Sequence, residues 1–439
     1  MKLRSLIVAT FVFLALAGTL YWSEHRKPAE AKVSADTPPA ILKLDESAIT
    51  KLEIKKKDAE PIVLAKNDSG AWQITQPKPL NADQSAVTGT LSSLSSLNSE
   101  RVVENNASDL KEFGLTQPSI EVDITSKDNK THQLLIGDDT PAGGAVYAML
   151  AGDPRVFTMA SYNKSSVDKS LNDLRDKRLL TVSADKVSRL ELIQHNQEIE
   201  FGRNQDEWQI LRPKPMRADS VAVGDLVGKL ADARMDLSGT DEHPKEAAAA
   251  FAQSIPVATA KITGPSATEE LQVRKNKDTY YAKSSVADGI YKVDSSLGQA
   301  LSKGLEDYRN KKLFDFGYAE PSKIEMHEGS QAHFLSKGGQ DWWSNGKKMD
   351  AGGVQEFISD LRDLSASKFV DSGFVNPAIE LAVTSDDGKR VEKVSIAKSG
   401  DGFVARREND PTLYYLDSAP VDALEKAADS VKPAAPNTK

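Results

Sequence analysis

The sequence predicts an α+β protein: an N-terminal transmembrane helix, then three tandem repeats of antiparallel meander sheets with amphipathic helices packed on them. Three observations support this prediction. The segment Trp72 to Asp83 recurs 136 residues later as Trp208 to Asp219, with eight of twelve positions identical. Short strands in which apolar and polar residues alternate recur with that segment. A single uninterrupted apolar run lies near the N-terminus.

The composition is that of a globular protein with a polar surface, since 39% of residues are hydrophobic and 27% are charged. At 439 residues the chain is too long for one ordinary core, which favours several domains. A formal net charge of −8 disfavours nucleic acid as the main partner. The chain has no cysteine, which excludes disulfides, thiol nucleophiles and cysteine metal sites.

Residues 1–24 are predicted to form a membrane anchor. The uncharged run 6–22 would rise about 26 Å as a helix, close to the ~30 Å hydrocarbon core of a bilayer. A cleaved signal peptide is the alternative, because residues 15–17 (Ala-Leu-Ala) form an acceptable cleavage site. The run continues past that site, which favours an uncleaved anchor. We expect a single pass through a bacterial inner membrane, with the bulk of the chain in the periplasm.

The rest of the chain is predicted to divide into a linker, three units and a tail. Residues 25–46 are rich in alanine and proline and lack periodicity, as an extended linker would. The units are predicted at 47–182, 183–317 and 318–431, and the third is degenerate. Residues 432–439 are predicted to form a disordered tail.

Each unit is predicted to open with a strand of alternating basic, apolar, acidic and apolar residues, so that one face is buried. These strands are Lys51–Ile54, Arg189–Leu192 and Lys323–Met326. Two further strands follow as a meander, and the third of them begins at the repeated tryptophan. The second half of each unit is strand-rich and ends in a hairpin and a closing helix.

An amphipathic helix is predicted after each tryptophan segment. Asp83 and Asp219 lie at its start in the first two units, where a carboxylate accepts hydrogen bonds from free amides. The apolar residues have the spacing i, i+4, i+7 of one helix face. They are Val87, Leu91 and Leu94; Val223, Val227 and Leu230; and Phe357, Leu361 and Leu364.

A charged motif, Leu174–Leu179, is echoed at Tyr308–Leu313, in each case where another unit follows. It is predicted to be a junction whose charges bridge neighbouring repeats.

Several of these motifs resemble the bacterial domain-of-unknown-function family 4340. They are the membrane segment, the pattern W-x-I-x-x-P-x-x-x-x-A-D before a helix, the stretch Ile136–Pro141 and the L-R-D-K-x-L junction. The likeness spans roughly residues 47–431 and is clearest in the first unit. It implies a membrane-anchored exported protein, of a kind considered alongside gliding-motility-type ABC transport systems with auxiliary extracytoplasmic subunits. It implies no defined activity.

The sequence contains no recognisable catalytic, cofactor-binding or metal motif: H-E-x-x-H, G-x-S-x-G, the Walker loop and G-x-G-x-x-G are absent. We therefore predict no catalytic residues, no cofactor and no metal. His327 and His333 flank a predicted turn and could share a metal, although exposed polar residues are the simpler interpretation. Adjacent carboxylates such as Glu269 and Glu270 are interpreted as exposed pairs, which do not provide the two environments that acid–base catalysis needs.

Trp72, Trp208 and Trp343 are interpreted as one buried core position that recurs in the three units. Trp342 precedes Trp343 on the same strand, and neighbours on a strand point to opposite faces. If exposed, Trp342 is the candidate contact with a partner. A cover from the adjoining unit is the alternative.

Repeat arrays present long surfaces rather than one deep pocket. The sequence therefore predicts a membrane-anchored, extracytoplasmic, non-catalytic binding or scaffold protein, with a protein partner in an envelope or transporter complex. Two alternatives stay open. One is a cell-surface hydrolase or carbohydrate-acting enzyme with an unrecognised site, and the other is a soluble periplasmic protein released by signal cleavage.

Overall fold

The computed structural model of the chain describes residues 39–195, 197–205, 207–238 and 244–435. The predicted membrane anchor, residues 1–24, and the first part of the predicted linker lie outside the described residues. Within the described ranges, no helix is both long enough and apolar enough to cross a membrane.

The chain divides into two compact units, Met1–Lys177 and Arg178–Lys439. The first contains one antiparallel sheet and the second contains two. We call each sheet with its helices a repeat unit: unit 1 is the first compact unit, and units 2 and 3 together form the second compact unit. The predicted α+β class and the repeated antiparallel sheets are confirmed.

Nine strands form the sheet of unit 1. They are β1 Ile49–Lys56, β2 Ile62–Lys66, β3 Trp72–Gln76, β4 Leu80–Asn81, β5 Arg101–Glu104, β6 Ile120–Ser126, β7 Thr131–Asp139, β8 Ala145–Leu150 and β9 Val156–Ala160. Their spatial order is β4-β3-β2-β1-β6-β7-β8-β9-β5. The helices of unit 1 are Gln84–Ser95, Ser161–Val167 and Leu171–Leu174, with 3-10 turns at Glu46–Ala48 and Leu110–Phe113.

Unit 2 repeats this arrangement with eight strands. They are β10 Arg189–Gln194, β11 Gln197–Asn204, β12 Glu207–Arg212, β13 Met216–Arg217, β14 Ile255–Thr263, β15 Thr268–Asn276, β16 Thr279–Ser284 and β17 Ile290–Val293. Their order is β13-β12-β11-β10-β14-β15-β16-β17. The helices are Ser220–Ala231, Pro244–Ala252, Ser295–Ala300 and Leu305–Tyr308, with a 3-10 turn at Ala184–Lys186.

Unit 3 again has nine strands. They are β18 Lys323–Glu328, β19 Gln331–Gly338, β20 Asp341–Ser344, β21 Lys347–Lys348, β22 Lys368–Val370, β23 Pro377–Ser385, β24 Arg390–Ser399, β25 Gly402–Arg407 and β26 Leu413–Leu416. The order β21-β20-β19-β18-β23-β24-β25-β26-β22 matches that of unit 1 strand for strand. The helices are Ala351–Asp363 and Ser418–Ser430, with a 3-10 turn at Asp386–Gly388.

The opening strand of each unit lies in the middle of its sheet, and its alternating residues determine which face is buried. In unit 1, Leu52 and Ile54 are almost fully buried, while Lys51 and Glu53 point outward and form an ion pair at 3.0 Å. The long helix covers the apolar face, and its start is capped as predicted. The Asp83 carboxylate accepts hydrogen bonds from the backbone N–H groups of Ser85 and Ala86, and Asp219 caps its helix in the same way.

Unit 3 follows the same plan, but its predicted register is wrong by one residue at the tryptophan. Trp342 is buried, with 5% of its surface exposed, whereas Trp343 points outward and is 38% exposed. The third helix cap is Asp350, whose carboxylate accepts from Gly353 N at 3.0 Å. Counted from each cap, the buried stripe falls at positions +4, +8 and +11, which in unit 3 are Val354, Ile358 and Leu361.

The two halves of the predicted junction motif form backbone hydrogen bonds with different segments: the first half with the helix cap of the preceding unit, and the second half with the segment after the long helix of the next unit. Its first half closes the preceding unit, because the backbone N–H of each helix cap donates to it. Asp83 donates to Leu174 O and Asp219 to Tyr308 O, each at 2.8 Å. In unit 3, Asp350 N donates to Lys432 O at 2.8 Å. The tail was predicted to be disordered from residue 432, but residues 432–434 take the place of the junction motif beside strand β21.

The second half of the motif opens the next unit by pairing with the segment after the long helix. Leu179 N donates to Ala233 O at 2.9 Å, and Leu313 N donates to Leu364 O at 3.0 Å. Ile41 N makes the equivalent bond to the carbonyl of Leu97. The structure therefore includes residues 41 and 42, which are buried, in unit 1, although the linker was predicted to extend to residue 46.

Two helical glycines in unit 2 give a matched stability prediction. A Cβ added at Gly298 would lie 2.1 Å from the Tyr280 ring, so Gly298→Ala should lower the free energy of unfolding by about 1–3 kcal/mol. A Cβ at Gly224 would meet no described atom within 4 Å beyond its own helix and chain neighbours. Gly224→Ala should therefore raise stability by up to about 1 kcal/mol. Urea unfolding of both variants tests this pair, and equal shifts would contradict the packing described here.

Candidate functional site at the junction of units 2 and 3

The two histidines that flank the β18–β19 turn do not come together. Adjacent strand residues face opposite sides, and the register pairs His327 with Ala332 and Met326 with His333. His327 points outward, where its ring contacts Phe334 with centroids 5.2 Å apart. His333 points inward, with Nε2 3.4 Å from Asp429 Oδ1. Within residues 39–435, leaving aside the undescribed gaps, no group of three potential ligands could hold a metal ion.

The adjacent carboxylates Glu269 and Glu270 are not an exposed pair. Glu269 is only 6% exposed, because it lies on the inward side of strand β15. Its carboxylate accepts a hydrogen bond from Thr181 N at 2.7 Å and contacts Thr181 Oγ1 as well. In unit 3, Glu392 takes the equivalent place and accepts from Asp315 N at 2.8 Å. These buried glutamates hold the first residues of their units against the sheet.

Trp342, the predicted partner contact, is part of the unit 3 core. Its indole Nε1 donates to Glu320 Oε1 at 3.3 Å, and its ring packs among the buried residues of that unit. The prediction required an exposed side chain, so burial removes Trp342 from the candidate contact residues. Trp343 is the exposed member of the pair.

A network of charged side chains lies where unit 2 meets unit 3. Arg217 stands two residues before the helix cap of unit 2, and its guanidinium reaches into unit 3. It lies 2.5 Å from Asp315 Oδ1, 2.8 Å from Lys312 O and 3.0 Å from the Tyr414 hydroxyl. Burial opposes the charge on Arg217, but the Asp315 carboxylate and the Tyr414 hydroxyl together outweigh this effect, so the pKa of Arg217 is raised.

Asp315 is held from several sides. Asn310 Nδ2 donates to its Oδ1 at 3.0 Å, and Arg407 Nη2 lies 3.2 Å from its Oδ2. Arg407 also donates to Leu313 O at 2.7 Å and to Glu392 Oε1 at 3.0 Å. The result is a continuous set of charge-assisted hydrogen bonds between the junction segment and the sheet of unit 3.

Tyr414 connects this set to an edge-to-face contact between two aromatic rings. Its hydroxyl donates to Asp410 Oδ2 at 2.7 Å, and its ring contacts Phe369 with centroids 5.4 Å apart. The guanidinium of Arg309, in the junction motif, lies 3.5 Å from the centre of the Phe369 ring. Burial raises the pKa of Tyr414 to about 12, so its hydroxyl is protonated at neutral pH and can donate. The prediction that junction charges bridge neighbouring repeats is confirmed for Arg309 of Tyr308–Leu313.

A cleft of about 510 Å³ opens beside these charges and is lined by Trp208, Arg217, Val221 and Lys312 among others. Three carboxylates also line the cleft, and each has a partner within the protein. Glu207 pairs with Arg390 at 3.2 Å, Asp219 caps its helix, and Asp315 pairs with Arg217. The cleft is therefore built to hold two repeats together and does not contain two free carboxylates in contrasting environments.

Sequence reasoning missed Arg217 and Asp315, although a signal was present. The repeated segments agree at the Ala-Asp pair before the helix, but Asn81 in unit 1 is replaced by Arg217 in unit 2. At the start of the following unit, Thr181 is replaced by Asp315. Arg217 and Asp315 thus both stand where the preceding unit has an uncharged residue. The appearance of opposite charges at both positions is the pattern expected of residues in contact.

The family described as "Domain of unknown function (DUF4340)" matches residues 72–247 and again residues 208–384. Both matches begin at a repeated tryptophan, Trp72 or Trp208. No curated protein matches the chain.

A solved structure, the DNA polymerase sliding clamp from Pseudomonas aeruginosa with ligand, aligns at 8% identity. The alignment covers 86% of this chain and 93% of that chain, with a TM-score of 0.15. A TM-score this low does not indicate a shared fold.

Proposed function

This chain belongs to the DUF4340 family, and we propose that it is a non-catalytic binding or scaffold protein of the bacterial envelope. In this proposal, residues 6–22 hold it in the inner membrane and the three units lie outside the cytoplasm. Its partner is a membrane protein complex, for which a gliding-motility-type ABC transport system is the first candidate. The apolar run and the resemblance described above support the membrane part of the proposal.

One observation carries the proposal: the tryptophans and aspartates that recur between the units form their cores and cap their helices. Trp72, Trp208 and Trp342 are each 5–6% exposed and fill the cores. The carboxylates of the recurring aspartates at the helix starts accept hydrogen bonds from backbone N–H groups. Duplication of such a folding unit multiplies the surface that is available for binding.

The outward faces of the sheets supply that surface. In unit 1, the Lys55 ammonium lies 2.7 Å from both Glu121 Oε1 and Asp123 Oδ2 on the outward face, and these hydrogen bonds raise the pKa of Lys55. In unit 2, Glu200 on the same face is paired with Arg189 and Arg212, each at 3.0 Å. Such ladders give a polar face with fixed charges, which suits recognition of a protein surface by complementary charge.

The test is cross-linking in intact membranes, followed by affinity purification of the tagged full-length chain and identification of what is recovered. An unrelated single-pass exported protein with the same tag is the control. We expect a multi-pass membrane protein to be enriched over the control. If nothing is enriched, or if carbonate washing releases the chain from membranes, the proposal fails.

A further inference from the structure

Unit 3 differs from units 1 and 2 in the length of one strand. Strands β3 and β12 continue to Gln76 and Arg212, but the equivalent strand β20 ends at Ser344. Asn345 and Gly346 follow with φ of 49° and 74°, as in the two-residue turns that the dipeptide Asn-Gly favours in hairpins. This tight turn replaces the longer connection that contains two prolines in units 1 and 2.

The early turn leaves part of strand β19 without a neighbour. In units 1 and 2 the longer strands β3 and β12 pair with β2 and β11, and Val63 lies opposite Gln76 and Glu200 opposite Arg212. In unit 3 the pairing of β19 with β20 covers only residues 336–338. Residues 331–335 of β19 pair with β18 on one side, and no described strand lies on their other side.

The direction of the backbone groups on this open edge follows from strand alternation. Lys337 N donates to Ser322 O on the β18 side. Since hydrogen-bonding direction alternates along an antiparallel strand, the N–H and C=O groups of Ala332 and Phe334 point to the open side. They form a short edge with two donors and two acceptors.

Two aromatic side chains mark the same place on the outward face. Phe334 is 42% exposed and Trp343 is 38% exposed. At the position of Phe334, units 1 and 2 have Val63 and Glu200, each only 5% exposed. The extended strands shield them: Arg212, which pairs with Glu200 in the register of unit 2, also forms an ion pair with its carboxylate. Unit 3 therefore exposes apolar surface at a place that strands β3 and β12 cover in units 1 and 2.

We propose that this open edge of β19 binds an extended segment of a protein partner by strand addition. The proposal rests on the scaffold function above and specifies the partner's chemistry. The segment would be extended, would present one N–H and one C=O to each of Ala332 and Phe334, and would place aliphatic carbons over Phe334 and Trp343. Ser344 occupies the position of Ile74 and Ile210, and beyond it units 1 and 2 fill the place with Thr-Gln-Pro and Leu-Arg-Pro, so the best ligand is of the type x-x-Pro.

The probe is a fluorescein-labelled synthetic peptide with the sequence of residues 211–215, titrated with the purified full-length chain and followed by anisotropy. A second peptide carries an N-methyl group on the arginine, which removes a backbone donor and leaves the side chains unchanged. We expect saturable binding of the first peptide and at least about tenfold weaker binding of the second. Absence of binding by the first peptide, or equal binding of both, would overturn the proposal.

The protein variants are chosen to spare the fold. Ala332→Pro removes only a donor on the open side, which an edge strand tolerates, and Trp343→Gln introduces the residue present in units 1 and 2. Each should weaken the peptide by about tenfold with an unchanged melting temperature, whereas Phe334→Tyr should retain binding. If Ala332→Pro instead converts a dimer to a monomer in sedimentation, a second copy of this chain is the occupant and the partner proposal falls.

The membrane purification separates this inference from the proposed function. If the Ala332→Pro chain still recovers the partner found with the natural chain, the β19 edge is not the contact, while the scaffold function stands. If the natural chain recovers no partner, the scaffold function itself fails.

Discussion

Replacing Trp342 with alanine is expected to lower the free energy of unfolding of the compact unit Arg178–Lys439 by about 3–5 kcal/mol. The indole is 5% exposed and packs in the core of unit 3 with Leu335, Val354 and Ile358. Its removal loses buried apolar area and leaves a cavity that the surrounding sheet and helix can fill only in part. Urea unfolding followed by circular dichroism measures the change.

Trp343→Ala is the matched control, because it removes the same side chain from the next position of the same strand. Trp343 is 38% exposed on the outward face, so we expect a loss below about 1 kcal/mol. Equal losses for the two variants, or a larger loss for Trp343, would show that the register of unit 3 described here is wrong.

Replacing Arg217 with methionine should lower the free energy of unfolding of the same compact unit by about 2–3 kcal/mol. Breaking a fully buried pair costs about 3–5 kcal/mol, and the Arg217 side chain is still 22% exposed, which reduces the cost. Methionine retains much of the aliphatic volume, so the loss reports the missing charge beside Asp315 and the missing hydrogen bonds to Lys312 O and Tyr414. Urea unfolding at neutral pH measures it.

Arg212→Met provides the comparison for this second prediction. Arg212 also bridges two carboxylates, Glu198 and Glu200, but its side chain is 58% exposed on the outward sheet face. Glu200 is buried, but it keeps Arg189 as a partner, and the exposed guanidinium of Arg212 is screened by solvent, so we expect a loss of about 0–1 kcal/mol. If Arg212→Met costs as much as Arg217→Met, the junction of units 2 and 3 has no special role in stability.

The sequence determined the opening strands and the helices of units 1 and 2 because their patterns permit one register. In Lys51–Ile54 the alternation places Leu52 and Ile54 on one face, and any other register would bury a charge. Asp83 and Asp219 could be placed at helix starts because a carboxylate satisfies amides there. These features depend on neighbours in the chain, which a sequence displays directly.

Unit 3 was misjudged because its local patterns permit two registers. Two adjacent tryptophans allow either one to be the core residue. The predicted stripe Phe357, Leu361, Leu364 is buried, as expected, but the stripe equivalent to those of units 1 and 2 lies three residues earlier on nearly the same helix face, at Val354, Ile358 and Leu361. Only the cap at Asp350, fixed by its hydrogen bond to Gly353, distinguishes them.

The candidate site depended on contacts between distant segments, which periodicity does not reveal. Glu269 looks exposed beside Glu270, but strand alternation turns one of the two inward, and Thr181 lies 88 residues away. Arg217 and Tyr414 are 197 residues apart. The open edge of β19 exists because the turn after Ser344 shortens β20, and no pattern within the β19 sequence indicates that its neighbour is short.

Producing residues 39–177 alone tests most directly whether this protein is one folding unit used three times. Unit 1 has its own core and contains a single tryptophan, Trp72, which is 6% exposed. We expect this fragment to melt in one cooperative transition, with a blue-shifted Trp72 emission that shifts to the red at the same temperature as the loss of circular dichroism. A fragment with solvent-exposed Trp72 emission and no cooperative transition would contradict the account.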